Sequence, residues 1–184
     1  MRVFVDFEAS SLAKQSYPIE VAWVFEDGAA ESHLIRPADG WTDWDESAAA
    51  IHGISRAELL AAGEPHDDIA RHMLNVLSGH ELFASSPSWD GKWLSVLLRA
   101  AGLPRHALRL SDTDDAQLQA AIAGLGTAWP EPQLRARAEA LVARVRAADT
   151  APIAHRALPD AWHERDLFHA IRRAAQVEAT IVGR

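Results

Sequence analysis

The chain has 184 residues, 48% hydrophobic and 24% charged, with a formal net charge of −8. That length suits one domain with a sizeable core, residues 1–184. The acidic balance argues against coating long duplex nucleic acid, which depends on Lys and Arg neutralising phosphates, and the lack of cysteine excludes disulfides, thiol catalysis and cysteine zinc sites.

Residues 2–6 read as a first strand and 17–25, "YPIEVAWVF", as a second, followed by the Asp27-Gly28 turn signal. Residues 31–36 read as a third strand, stopped by Pro37, so the chain opens as an antiparallel meander. The texture then turns helical over 45–51, 55–62 and 66–77, with Ser55 and Glu58 spaced as a capping box. Residues 80–85 read as a fourth strand, 89–101 as a helix and 107–110 as a fifth strand. Residues 116–125 and 133–147 read as helices, with 124–132 as a loop. A last helix spans 160–175, with Pro159 suited to its first turn. This order predicts an α/β fold, a mixed five-stranded sheet with helices packed on it. No apolar run approaches the roughly 20 residues of a membrane helix. A strand pattern from residue 2 leaves no room for a signal peptide, so a cytoplasmic protein without membrane contact is expected.

Four acids and a histidine stand out. Asp6 and Glu8 alternate at the end of the first strand, so their carboxylates project from one face. Buried charge is costly unless compensated, and a divalent cation would compensate it. A solvated polar turn is the alternative. Asp90 lies near the start of a helix that follows the fourth strand, and Asp160 opens the last helix. Both also read as ordinary acids at a helix N-terminus. His155 is the one histidine with an Asp five residues later, and Asp6 the one Asp with a Glu two residues later.

Together, Asp-x-Glu on the first strand, a mid-chain Asp at a strand-to-helix junction and His-x4-Asp before the last helix resemble the three motifs of the DEDDh 3′→5′ exonucleases. That family includes RNase T, oligoribonuclease and bacterial proofreading exonucleases. "IHGI" at 51–54 is similar to the family's His-Gly-Ile segment beside the terminal nucleotide, and "HRALPDA" at 155–161 to its third motif, with Pro159 as a departure. The resemblance implies a ribonuclease H-like fold and two Mg²⁺ or Mn²⁺ ions held by Asp6, Glu8, Asp90 and Asp160. It makes His155 the general base, a role that imidazole side chains suit near neutral pH. It also implies release of nucleoside 5′-monophosphates from single-stranded 3′ ends, with His52, Gly53 and Ile54 near the substrate.

Phe7 and Trp89 are candidate substrate contacts, because bases stack on aromatic rings independently of sequence. Trp93 reads as core, Trp41 and Trp44 remain open between site and sheet cover, and Asp112 reads as a helix cap. "DFEAS", "YPIEVAWV" and "SWDGKWL" are similar to ERI-type exoribonucleases, which leans the expected substrate to RNA or short oligoribonucleotides over DNA. DNA repair or proofreading is the alternative. A non-catalytic nucleic-acid-binding scaffold on the same fold and a nucleotide phosphohydrolase also stay open. A homodimer is compatible with the resemblance.

Overall fold

The computed structural model describes residues 1–126, 129–131 and 133–182. Strands β1 (Arg2–Ala9), β2 (Pro18–Phe25) and β3 (Ala30–Arg36) form the expected antiparallel meander. Helices α1 (Glu46–His52) and α2 (Arg56–Ala62) follow, then the two-residue strand β4 (Glu64–Pro65) and helix α3 (His66–Leu77). The remaining elements are β5 (Glu81–Ala84), α4 (Pro87–Ala100), β6 (Leu110–Asp112), α5 (Thr113–Leu125), α6 (Gln133–Ala148) and α7 (Ala157–Val182).

The sheet order is β4-β3-β2-β1-β5-β6, with β5 parallel to β1 and β6 parallel to β5. Among the described residues six strands are present where five were expected. The extra one is β4, which pairs with β3 at Ile35 and Arg36 and is too short to carry a periodic signal. The last strand forms at 110–112, not 107–110, because residues 104–108 form turns after Pro104. In the 124–132 loop, Gly124 and Leu125 end α5, while residues 127, 128 and 132 lie outside the described residues.

Alternation along the strands divides the core. Val3, Val5, Phe7, Val21, Trp23 and Ile35 face α3 and α4. Phe4 and Phe83 face α5 and α7, packing on Ala116, Ala120 and Phe168. Gly124 lets α5 and α7 close together, since a Cβ there would meet Ala175 Cβ at 2.6 Å. Helix α7 is therefore seated on the face of β1 that carries Asp6 and Glu8. The caps agree with the sequence reading: Ser55 Oγ accepts from Glu58 N–H at 3.1 Å and Asp112 caps α5 through Asp114 N–H at 2.9 Å. Trp93 is buried in the α3–α4 core, and Trp41 stacks on Tyr17 at 5.0 Å, so both cover the sheet. Among the described residues no helix is long and apolar enough to cross a membrane.

Candidate active site

A cleft of about 480 Å³ opens at the end of the sheet where the parallel strands β1 and β5 finish. Asp6, Glu8, Asp90, His155 and Asp160 all line it, together with Phe7 and Trp89. Ligands in α/β sheets commonly sit beyond the carboxyl ends of parallel strands, where loops and helix starts converge. Three elements deliver the acids. Strand β1 runs three residues beyond its expected end, which keeps Asp6 and Glu8 on one face before a bulge between Glu8 and Ala9. The first turn of α4 carries Asp90, and the first turn of α7 carries Asp160.

Carboxylate oxygens of Asp6, Glu8 and Asp160 lie within 4.8 Å of one another. Asp90 is only 2% exposed, and its Oδ2 is buried with no hydrogen-bond partner. A buried anionic oxygen left unpaired is strongly disfavoured. The titration shifts report the same crowding. Burial raises Asp6 well above the ordinary carboxylate range, and the charges of Asp90, Glu8, Asp160 and Glu164 add to it. Burial, then Asp160 and Glu20, push Glu8 up to about 7 against the pull of Arg156. Burial pushes Asp90 up to about 7, although backbone hydrogen bonds with Ser86, Phe7 and Asp90 itself oppose it. Clustered carboxylates with an orphaned buried oxygen make an all-oxygen donor set that fits hard divalent cations.

His155 stands at the cleft on the turn that enters α7. It is the one non-glycine residue with positive φ among the described residues, at 53°. Such a backbone persists only where its surroundings impose it. Asp160 imposes it locally: its Oδ1 accepts from Ala154 N–H at 2.9 Å and its Oδ2 from Arg156 N–H at 3.3 Å. The two amides flanking His155 are thus tied to one carboxylate.

Glu20 anchors the same turn, a role the sequence reading missed. It lies opposite Glu8 on β2 and is buried. Its Oε1 and Oε2 accept from the Arg156 guanidinium at 2.7 and 3.0 Å, and its Oε2 accepts from Ala157 N–H at 3.0 Å. Ala157 opens α7, so this strand carboxylate caps a helix N-terminus from a distance. The signal was available: a lone acid inside the apolar run "YPIEVAWVF" is buried only when paired. Glu164 was also missed. It lines the cleft one turn after Asp160, the i+4 spacing that puts both on one helix face, and burial raises its carboxyl. His163 is a second cleft histidine, with Nε2 2.9 Å from Asp149 Oδ2.

The candidate substrate contacts separate. Trp89 is 37% exposed, lies 5.6 Å from Trp93 and carries the Lys92 ammonium 4.9 Å above its ring. Phe7 forms part of the cleft wall, but its ring is buried in the α3–α4 core, on the opposite face from the acids. His52, Gly53 and Ile54 lie outside the cleft lining. His52 is buried and its Nδ1 accepts from Ile54 N–H at 3.1 Å across the left-handed turn at Gly53, and Ile54 packs on Tyr17, Ile19 and Leu59.

No protein-family model and no curated protein sequence matches the chain. Solved structures do. Exonuclease I from Methylocaldum szegediense, moderately thermophilic, superposes with a TM-score of 0.67 at 17% identity, over 94% of this chain and 40% of that one. The zinc-bound complex of E. coli exonuclease I with single-stranded DNA gives 0.64 at 19% identity, over 98% and 41%. E. coli exonuclease I with a dA16 oligonucleotide gives 0.64 at 18% identity, over 96% and 42%. The likeness shows a shared fold. It is the ribonuclease H-like α/β arrangement that the family resemblance implied. The chain spans about two fifths of the length of these proteins.

Proposed function

We propose that the chain is a metal-dependent 3′→5′ exonuclease that releases nucleoside 5′-monophosphates from single-stranded nucleic acid. The observation that carries this reading is the convergence of Asp6, Glu8, Asp160 and Asp90, whose buried Oδ2 has no partner, in one cleft beside His155. Asp6, Glu8, Asp90 and Asp160 are the residues to hold two Mg²⁺ or Mn²⁺ ions. When bound, such a pair supplies Lewis acidity that stabilises the attacking and leaving oxygens of a phosphodiester displacement.

The chain's own residues supply the rest. His155 accepts the proton of the attacking water, held for that task by the Asp160 clamp on its flanking amides and by the Glu20–Arg156 anchor. Trp89 offers the half-open ring on which the terminal base stacks. Glu164 adds a further carboxylate to the wall and strengthens the site's preference for cations.

Two observations bear on the sugar. The ERI-like segments lean to RNA, whereas the fold likeness to exonuclease I, bound to DNA oligonucleotides in its complexes, spans nearly the whole chain. DNA is the substrate we place first, with RNA as the second reading. A time course with 5′-labelled single-stranded DNA and RNA of one sequence, in Mg²⁺, Mn²⁺ or EDTA, tests both. A metal-dependent ladder shrinking from the 3′ end, absent in Asp6→Ala and His155→Ala, is expected. Intact substrate in every lane would leave the cleft to a binding scaffold or to small nucleotides.

A further inference from the structure

A second cluster of metal-binding side chains lies on the opposite face of the sheet. Glu31 and His33 alternate on β3, so both project toward α3, as Trp23 does from the neighbouring strand. His72 comes down from α3 to meet them. One ligand atom from each of Glu31, His33 and His72 lies within 4.8 Å of the others. Glu31 Oε2 is 2.6 Å from His72 Nε2 and 3.4 Å from His33 Nε2. Tetrahedral zinc with ligands at roughly 2.0–2.1 Å sets such atoms about 3.4 Å apart, which is the Glu31–His33 separation. The Glu31–His72 pair, hydrogen-bonded at 2.6 Å, would part and give up the shared proton to admit the ion.

The surroundings prepare the imidazoles. His33 Nδ1 is 2.8 Å from Glu64 Oε1 on β4, so Nδ1 carries the donated proton. The other ring nitrogen, Nε2, faces Glu31. His33 Nε2 is buried and has no hydrogen-bond partner. A carboxylate on the far nitrogen is the usual outer support of a zinc-bound histidine, fixing its tautomer and raising its basicity. Trp23 makes the floor, stacked on His33 at 5.0 Å and tilted against His72 at 5.8 Å. The His33 side chain is 14% exposed and that of His72 43%, so the cluster is walled on the sheet side and open to an entering ion on the helix side.

We propose that Glu31, His33 and His72 form a transition-metal site of the zinc class, with Glu64 orienting His33 and solvent completing the coordination. Two imidazoles and one carboxylate suit Zn²⁺ rather than the hard cations expected of the all-oxygen cleft. The ion would tie β3 to α3, and it is independent of the proposed nuclease site because it lies across the sheet and shares no ligand with it.

The test is Zn²⁺ titration by calorimetry, with thermal unfolding alongside, on chelator-stripped protein carrying Asp6→Ala and Asp160→Ala so that the cleft acids do not compete. One Zn²⁺ per chain with a rise in Tm is expected. Adding His72→Ala should abolish both effects while circular dichroism stays unchanged. Glu64→Gln in place of His72→Ala should weaken Zn²⁺ about 10–100-fold, the usual effect of removing such an outer partner. Should His72→Ala misfold, Glu31→Gln serves the same purpose. Absence of Zn²⁺ binding in the cleft-deficient protein, or binding unchanged by His72→Ala and Glu31→Gln, would overturn the assignment.

Discussion

Replacing Glu20 with Ala should loosen the turn that holds His155. The Glu20 carboxylate is buried and accepts three hydrogen bonds, two from Arg156 and one from Ala157 N–H. Hydrogen bonds to a charged group contribute roughly 1.5–3 kcal/mol each, and a stranded buried donor costs about 1–3 kcal/mol. The Arg156 side chain is 45% exposed, so water recovers much of its loss, and the Ala157 amide dominates. The net effect should be on the order of 3 kcal/mol, a fall in Tm of roughly 6–12 °C for a chain of this size. Glu20→Gln keeps an oxygen for Ala157 and should lose about half as much. Activity measured well below the lowered Tm should fall at least about tenfold in Glu20→Ala, because a displacement near 1 Å in a reacting group is worth about 100-fold. Thermal unfolding and initial rates on single-stranded DNA check both parts. A Glu20→Ala protein with wild-type Tm and rate would refute the anchoring argument.

Further expectations concern the cleft itself. Glu8 and Asp90 have folded-state values of about 7 against ordinary values of 4.5 and 3.8, and Asp6 and Glu164 are raised as well. The folded state therefore binds these protons more tightly than the unfolded one. Their contribution is complete below the ordinary carboxylate range and is lost as pH rises through about 7. In chelator, Tm should fall between pH 5 and 8, and Mg²⁺ at pH 8 should restore it; a Tm that rises over that window would contradict the crowding. Asp90→Asn removes a buried charge, so metal-free Tm at pH 8 should rise while turnover is lost, as read by unfolding with and without Mn²⁺. Trp89→Ala should raise KM roughly 5- to 150-fold, the equivalent of about 1–3 kcal/mol of base stacking, with the folded state preserved because the ring is half-open.

Local patterns carried most of the fold. The apolar runs of β1 and β2, the capping pairs at Ser55 and Asp112 and the amphipathic α3 all announced themselves within a few residues. What escaped depends on distant partners. Strand β4 exists because Arg36 and Ile35 offer it an edge, and α7 begins three residues early because Glu20 caps Ala157 from across the sheet. For the site, the resemblance carried by three ordered motifs pointed to Asp6, Glu8, Asp90, His155 and Asp160, and the folded chain gathers all five in one cleft. Phe7, expected as a substrate contact, lies between the two acids, so strand alternation turns its ring to the opposite face, where it packs on the α3–α4 core. The Glu31, His33 and His72 cluster was illegible because its members come from a strand and a helix about forty positions apart.

The most direct measurement is a crystal structure of the wild-type protein soaked with Mn²⁺ and a nucleoside 5′-monophosphate, with anomalous difference maps recorded above the manganese edge. Two peaks bounded by Asp6, Glu8, Asp90 and Asp160, with His155 directed at the phosphate, are the predicted result. A cleft that stays free of manganese, with the four acids parted and nucleotide bound elsewhere, would contradict the account.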